Sequence, residues 1–343
     1  MERPSTEFIV PPHNNKKVKT MELRRTLLAT ALPLALCIPS WCAALTLQVA
    51  DTQPKGYPAI SAIEHMGEKL AKATDGEISM KVFPGGVLGG EKEAIEQVQI
   101  NAIQLTRVSL GVIGPVVADV NVFNMPFVFR DSAHMRKVID GEIGQEILDR
   151  ITASEHGLVG LAWMDAGSRN FYSKSPIRSL DDLKGKKMRM MENPLFLDTM
   201  NALGGSGIAM STGETFSALQ AGVIDGAENN PAVMLAQNHQ QVAKYFSETS
   251  HLIIPEPLVM SKQAWDSLSA EQQTLVRQFA REAQLEQRAL WDKQVAESEA
   301  ALKKAGVEFI EVDRKPFYEA TVAVREKYGA PYADLIERIE AVD

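Results

Sequence analysis

The sequence predicts an α/β protein of two domains, each a mostly parallel sheet flanked by helices, tied together by one long helix. Three features carry this. After Leu45 the apolar pattern switches between the two-residue period of a strand and the wider period of a helix, in the order strand, helix, strand, helix. Two irregular segments, one near Ala166 and one at 252–260 that holds Pro255 and Pro257, read as passages of the chain from one body to another and back. Finally, Ser269-x-x-Gln272 opens a helical stretch with no proline or glycine before Gly306, on the order of 50 Å at ~1.5 Å per residue and so longer than one domain is wide. It reads as one helix, or as two with a break near Trp291.

Taken in order, Leu45, Leu47 and Val49 alternate as a first strand, and the loop from Asp51 to Pro58 leads into a helix carrying Ile60, Ile63 and Leu70 that closes near Gly76. A second strand runs from Ile78 to Phe83. After the glycine-rich turn that follows, a helix spans Glu91 to Asn101 and a third strand spans Ile103 to Val108. In a parallel sheet with right-handed crossovers the loops after these strands share one edge, which gathers Gln53, Tyr57, Glu91, Arg107 and Ser109. The run Phe123 to Phe129 is too apolar and aromatic for an exposed loop and is assigned to the core. Ser132 opens a helix that breaks near Gly141 and ends at Ser154, Leu158 to Trp163 is a further buried strand, and Met164 to Arg169 has the composition of a connector.

The stretch from Lys184 to Pro231 repeats strand, polar turn and helix start three times. Lys187 to Met191 alternate, so Arg189 points away from the face that carries Met188 and Met190. Asn193-Pro194 starts a helix that stops at Gly204, Ser211-x-x-Glu214 is a capping box whose helix closes at Gly222, and Glu228-Asn229-Asn230-Pro231 starts another. Helix starts at a sheet edge present unpaired N–H groups to one crevice and suit anions. An arginine adds a planar fork for a carboxylate, and an asparagine amide can donate and accept beside it. Arg189 is accordingly a carboxylate-binding residue or a solvated edge residue, and the asparagines a ligand clamp or a plain turn.

Other chemistry lacks support. Net charge is −8, and the first 44 residues hold six basic and three acidic groups, so the remainder carries −11, which argues against nucleic acid or anionic lipid as main partner. Met21 to Arg25, an apolar run to Ile38 and small residues before Leu45 have the order of a secretory signal peptide cleaved near Ala44, with an extension upstream of Met21. Both cysteines, Cys37 and Cys42, lie in that leader, so no disulfide or thiolate site is expected in the mature chain. The histidines are scattered without HExxH spacing, no GxSxG or GxGxxG motif is present, and the loop from Gly85 to Lys92 departs from a phosphate loop at Glu91. No catalytic residue, metal or cofactor is expected.

Four motifs, VFPGGVLGGEKE, FNMPFVFRD, SPIRSLDDLKGKKMRM and ALQAGVIDGAENNP, resemble in order and spacing the substrate-binding proteins of tripartite ATP-independent periplasmic (TRAP) transporters, over essentially all of 45–343. The resemblance implies a periplasmic-binding-protein-like clamshell. Lobe I would comprise 45–166 and 255–294, lobe II 167–254 and 295–343, with the long helix at about 270–305 spanning both. It also implies that Arg189, the arginine of the KxR strand, pairs with a ligand carboxylate, that Arg169 is the family's second arginine, that Asn229 is the asparagine of the DGxEN turn, and that Glu91 and the loop from Asp51 to Gln53 face them. Where many members carry Pro-Phe, this chain has Ser211-Thr212.

Glu91 would repel a second carboxylate but accept bonds from hydroxyls, which favours a sugar acid over a four-carbon dicarboxylate or another monocarboxylate; Arg107 argues the other way. The loops DTQPKGYP and QLTRVS resemble members that bind hexuronates such as galacturonate or glucuronate, with Tyr57 and Trp163 as aromatic groups that either pack against a sugar or serve the core. The expected partners are a small-molecule carboxylate and the TRAP membrane subunits, the chain acting as a monomer in the periplasm without nucleic acid. A secreted enzyme acting on a sugar acid, and a binding protein that feeds a sensor kinase, are the competing readings.

Overall fold

The computed structural model describes residues 44–343; the signal-peptide assignment and both cysteines lie outside the described residues. Eleven strands follow one another along the described chain: β1 (Leu45–Ala50), β2 (Ile78–Phe83), β3 (Leu105–Arg107), β4 (Leu158–Met164), β5 (Ser168–Ser173), β6 (Lys187–Met190), β7 (Ser206–Ala209), β8 (Gly226–Asn229), β9 (Tyr245–Ile253), β10 (Glu256–Ser261) and β11 (Glu308–Ile310). They form two sheets, β2-β1-β3-β10-β4 and β11-β9-β5-β8-β6-β7. Each sheet is parallel except for one strand, β10 in the first and β5 in the second. The exception has a geometric cause. β4 and β9 end at the edge where the chain changes sheets, so the strand laid next starts from that edge and must run back against its neighbours.

Helices cover the sheets because the strands are apolar on both faces; every residue of β4 is buried. Val276, Ala280 and Ala283 of the helix Ala270–Lys304 pack on Leu47, Leu105 and Leu258 of the first sheet, while Leu302 near its end packs with Ala227 and Phe246 of the second. The helix is therefore single, 35 residues long, and begins with the Ser269–Gln272 capping box. Trp291 lies buried at its middle, edge-on to Tyr57 with ring centroids 5.9 Å apart. The connector passes over this ring at Gly167, whose φ of +67° and a Cβ position only 3.1 Å from the indole both call for glycine.

Several boundaries differ from expectation. The connector is only Asp165 to Gly167, since Ser168 and Arg169 already belong to β5, where Arg169 faces Leu252 of β9. Its glycine and serine gave this stretch the look of a turn, whereas hydrogen bonding on both sides makes it a central strand. The nine-residue strand β9 carries Ser247, Thr249 and His251 in buried positions, which hid its alternation. Of the FNMPFVF run, Phe123 and Phe129 are core residues, with ring centroids 5.3 Å apart. Among the described residues no helix is long and apolar enough to cross a membrane.

Candidate binding cleft

A cleft of about 600 Å³ lies between the two sheets, bordered on one side by the loop from Gly85 to Glu93 after β2 and on the other by Arg189, Glu192 and the segment from Met210 to Glu214. The ends of the strands meet here for the reason that made them alternate with helices: each parallel strand delivers its last residue, and the helix after it its first N–H groups, to the same edge.

On the second sheet, Arg189 sits in β6 between Met188 and Met190, which are wholly buried. The residue is 2% exposed. The Nε donates to the Met210 carbonyl at 2.8 Å and an Nη donates to the Thr212 hydroxyl at 3.2 Å. Among the described residues no carboxylate stands within ion-pair distance of it. Burial lowers its pKa, and the neighbouring Arg169 charge adds to this against the pull of Glu228. Thr212 is the first residue of the helix Thr212–Ala221, whose Ser211–Glu214 capping box forms as expected. Arg169 in β5 is partnered. It donates through Nε and Nη2 to both oxygens of Glu228, the latter at 2.8 Å, and through Nη1 to the Asn229 side-chain oxygen at 3.2 Å. Burial works against its charge, but Glu228 holds it. His251, stacked on Phe171 at 4.2 Å, is pushed down to about 3 by burial and by Arg169, so it stays neutral beside this pair.

On the first sheet the balance differs. Arg107 at the end of β3 is buried, donates to the Asp51 carboxylate through Nε at 2.7 Å and Nη2 at 2.6 Å, and donates through Nη1 to Glu256 at the start of β10. The Ser109 hydroxyl lies 3.0 Å from Glu91 and 2.9 Å from Glu256. Burial first, and the Glu256 charge next, push the Glu91 carboxyl up to about 7. Gln53 is buried, its backbone N–H bonded to Asp51, and its side-chain oxygen accepts from Gln237 of the opposite side at 3.5 Å.

Of the expected residues, Arg189 and Glu91 line the cleft and Gln53 meets Gln237, which also lines it, while Arg169, Asn229 and Arg107 are buried in β5, β8 and β3; two expectations are corrected. Arg107 is not a spare charge for a second ligand carboxylate, because Asp51 and Glu256 already occupy its fork. Trp163 does not line the cleft: it is 1% exposed, packs edge-on to Phe123 and donates to the Gly144 carbonyl at 3.1 Å under the helix Glu142–Ala153. Tyr57 lies between Trp291 and the Arg107 cluster, where burial and the Glu256 charge raise its pKa. Sequence reasoning missed Glu228 and Glu256. The signal for Glu256 was present: one acid, flanked by prolines, inside the buried run from Leu252 to Met260. Among the described residues no group of three His, Cys, Asp or Glu side chains is placed to hold a metal.

The two sides also touch directly. Asn193 donates to the Gly111 carbonyl at 3.0 Å, and a Cβ on Gly111 would come within 2.2 Å of Phe196. Among solved structures, a TRAP periplasmic solute binding protein from Pseudomonas putida F1 with bound D-glucuronate is 66% identical, with TM-score 0.87 over 87% of this chain and 98% of that one. One from Xanthobacter autotrophicus Py2 with bound β-D-galacturonate is 41% identical, with TM-score 0.84 over 87% and 100%. One from Citrobacter koseri with bound D-glucuronate is 46% identical, with TM-score 0.86 over 87% and 99%. The apo, open structure of the Citrobacter protein aligns less well, at TM-score 0.78 over 86% and 98% with 45% identity. The sheets are therefore arranged more as in the liganded form than in the open one. The family model for bacterial extracellular solute-binding proteins, family 7 (DctP), matches residues 49–330, and this chain belongs to that family, the solute-binding proteins of TRAP transporters.

Proposed function

We propose that this chain captures a hexuronate, D-glucuronate or D-galacturonate, in the periplasm by closing two lobes on it, 45–166 with 255–294 and 167–254 with 295–343, and hands it to TRAP membrane subunits as a monomer. One observation carries the reading: Arg189 is a buried arginine, already oriented by Met210 and Thr212, that borders the cleft with no carboxylate partner among the described residues. A buried charge without a counter-ion is costly, and a ligand carboxylate supplies the missing partner through a two-pronged bond. The Asn229 side-chain nitrogen makes no hydrogen bond among the described residues and supplies a donor beside it, while Arg169 holds Asn229 by its oxygen. Glu91 and Gln53 on the opposite side meet the ligand hydroxyls, and Arg107, Tyr57 and Trp163 support that side from behind.

A four-carbon dicarboxylate would turn its second charge toward Asp51 and Glu256, whose only cationic partner among the described residues is Arg107, and toward the Glu91 carboxyl. A uronate turns hydroxyls there. The relatives with bound glucuronate and galacturonate support the same class of ligand. A ligand shifts the open and closed forms only by its differential affinity for them, so contacts to both sides are what drive closure.

The test is a thermal-shift screen of the protein from Leu45 onward against hexuronates, aldonates, four-carbon dicarboxylates, sialic acid and neutral hexoses. A ligand well above its dissociation constant raises the melting temperature by mass action. Shifts with glucuronate or galacturonate are expected, and the ligand is recovered unaltered. Shifts with dicarboxylates only, or with no acid, overturn the reading; turnover of the uronate would make the chain an enzyme.

A further inference from the structure

We infer that Glu91, Ser109 and Glu256 hold one shared proton, and that Glu256, set behind the ligand-facing surface, is a positioning residue that keeps Glu91 in its neutral form toward the bound uronate. This rests on the functional reading above for its ligand, and on geometry for its proton. Ser109 has a single hydroxyl hydrogen, yet its oxygen lies 3.0 Å from a Glu91 oxygen and 2.9 Å from a Glu256 oxygen. A hydroxyl donates once. If both carboxyls were ionised, one of these contacts would set two acceptors face to face with no hydrogen between them. One carboxyl must therefore carry a proton and donate it to Ser109.

Which carboxyl it is follows from the neighbours. Glu256 accepts a bond from the Arg107 guanidinium, whose other two donors go to Asp51, so the one cation of this cluster faces Glu256 and not Glu91. Glu91 has no cationic partner of its own among the described residues. Facing it are Ser109 and Arg107 after and within β3, Glu256 of β10 and Asp51 after β1; Lys92 and Glu93 follow on its own helix, and Arg189, Glu192 and Glu214 border the cleft opposite. The backbone N–H of Ser109 at 3.3 Å and the helix start at Glu91 favour the ionised form, but burial beside a fixed Glu256 charge outweighs them. The proton thus resides on Glu91.

The consequence is a specificity device. A neutral Glu91 both donates and accepts, which matches a sugar hydroxyl, and it does not repel the anion held by Arg189 a short way across the cleft. Binding an anion favours the protonated form, so ligand and proton bind together. As pH rises above the value at which free Glu91 ionises, the complex must take up a proton to form and affinity falls, approaching about tenfold per pH unit.

Calorimetry with D-glucuronate at pH 6, 7, 8 and 9, in phosphate and in Tris, reads this directly, because the two buffers differ in ionisation heat. Proton uptake on binding that rises from pH 6 to pH 8, with weakening affinity, is expected. Glu91→Gln should abolish the uptake, and Glu256→Gln should move its midpoint to lower pH. Binding with no proton uptake in wild type overturns the inference and leaves uronate capture standing. A midpoint unmoved in Glu256→Gln overturns the role of Glu256. If that variant does not fold, or if no uronate binds and the functional reading itself fails, difference infrared spectroscopy of the free protein between pH 6 and pH 9 decides: a protonated carboxyl band that disappears in Glu91→Gln supports the shared proton, and its absence from wild type at pH 6 overturns it.

Discussion

The two banks of the cleft carry opposite imbalances. The first sheet sets one guanidinium, Arg107, among three carboxyl groups, Asp51, Glu91 and Glu256, and pairs it with two; the second sets two guanidiniums, Arg169 and Arg189, near one carboxylate, Glu228, which pairs with Arg169. On each bank one pairing is complete and one group is left over: Glu91 on the first, Arg189 on the second. The completed pairs build the banks, and the remaining groups wait for the ligand.

The sharpest way to break this contrast is to remove one arginine from each bank. Arg107→Met strands Asp51 and Glu256 in a buried setting and should lower unfolding stability by about 3–5 kcal/mol, read by urea denaturation. Arg189→Met removes a buried cation that has no counter-ion, so stability without ligand should hold or rise, while uronate affinity measured by calorimetry falls by roughly 2–5 kcal/mol. Equal losses of stability in both variants would erase the distinction between built and waiting charges. A third test uses pH. His251 and His239 are pushed down to about 3 and about 4 by burial, whereas an unfolded histidine binds its proton near ~6.5. Between those values the unfolded chain binds more protons, so their contribution is full above about 6.5 and is lost as pH falls toward the native values. The stability advantage of wild type over His251→Phe should therefore shrink from pH 7 to pH 4.5; an advantage independent of pH would contradict a neutral histidine there. The smallest effect is expected from Thr212→Val, which removes one hydrogen bond from Arg189 and should cost about 1 kcal/mol of affinity, near fivefold, with stability little changed.

Much of the site was legible because local rules place it. The KMRM alternation put Arg189 at a sheet edge, capping residues marked the helix starts at 193, 211 and 230, and the βαβα order gathered Gln53, Glu91 and Arg107. The partners were not legible. That Arg107 is consumed by Asp51 and Glu256 depends on β10 lying beside β3, a pairing between residues about 150 positions apart that no local pattern encodes. Trp163 shows the same limit from the other side, since an aromatic in a strand looks alike whether its face borders a cleft or, as in β4, is covered by the helix Glu142–Ala153 and the long helix.

The reversed strands have a consequence for biosynthesis. β10 fills the gap between β3 and β4, so the first sheet stays open until residues 256–261 have been made, and β11 reaches the second sheet later still. No N-terminal portion short of that length contains a finished sheet, and the contacts that complete each one join distant parts of the chain, the kind that form slowly. A chain of this design completes its first sheet only when about three quarters of it has been made, and its second sheet only near the end.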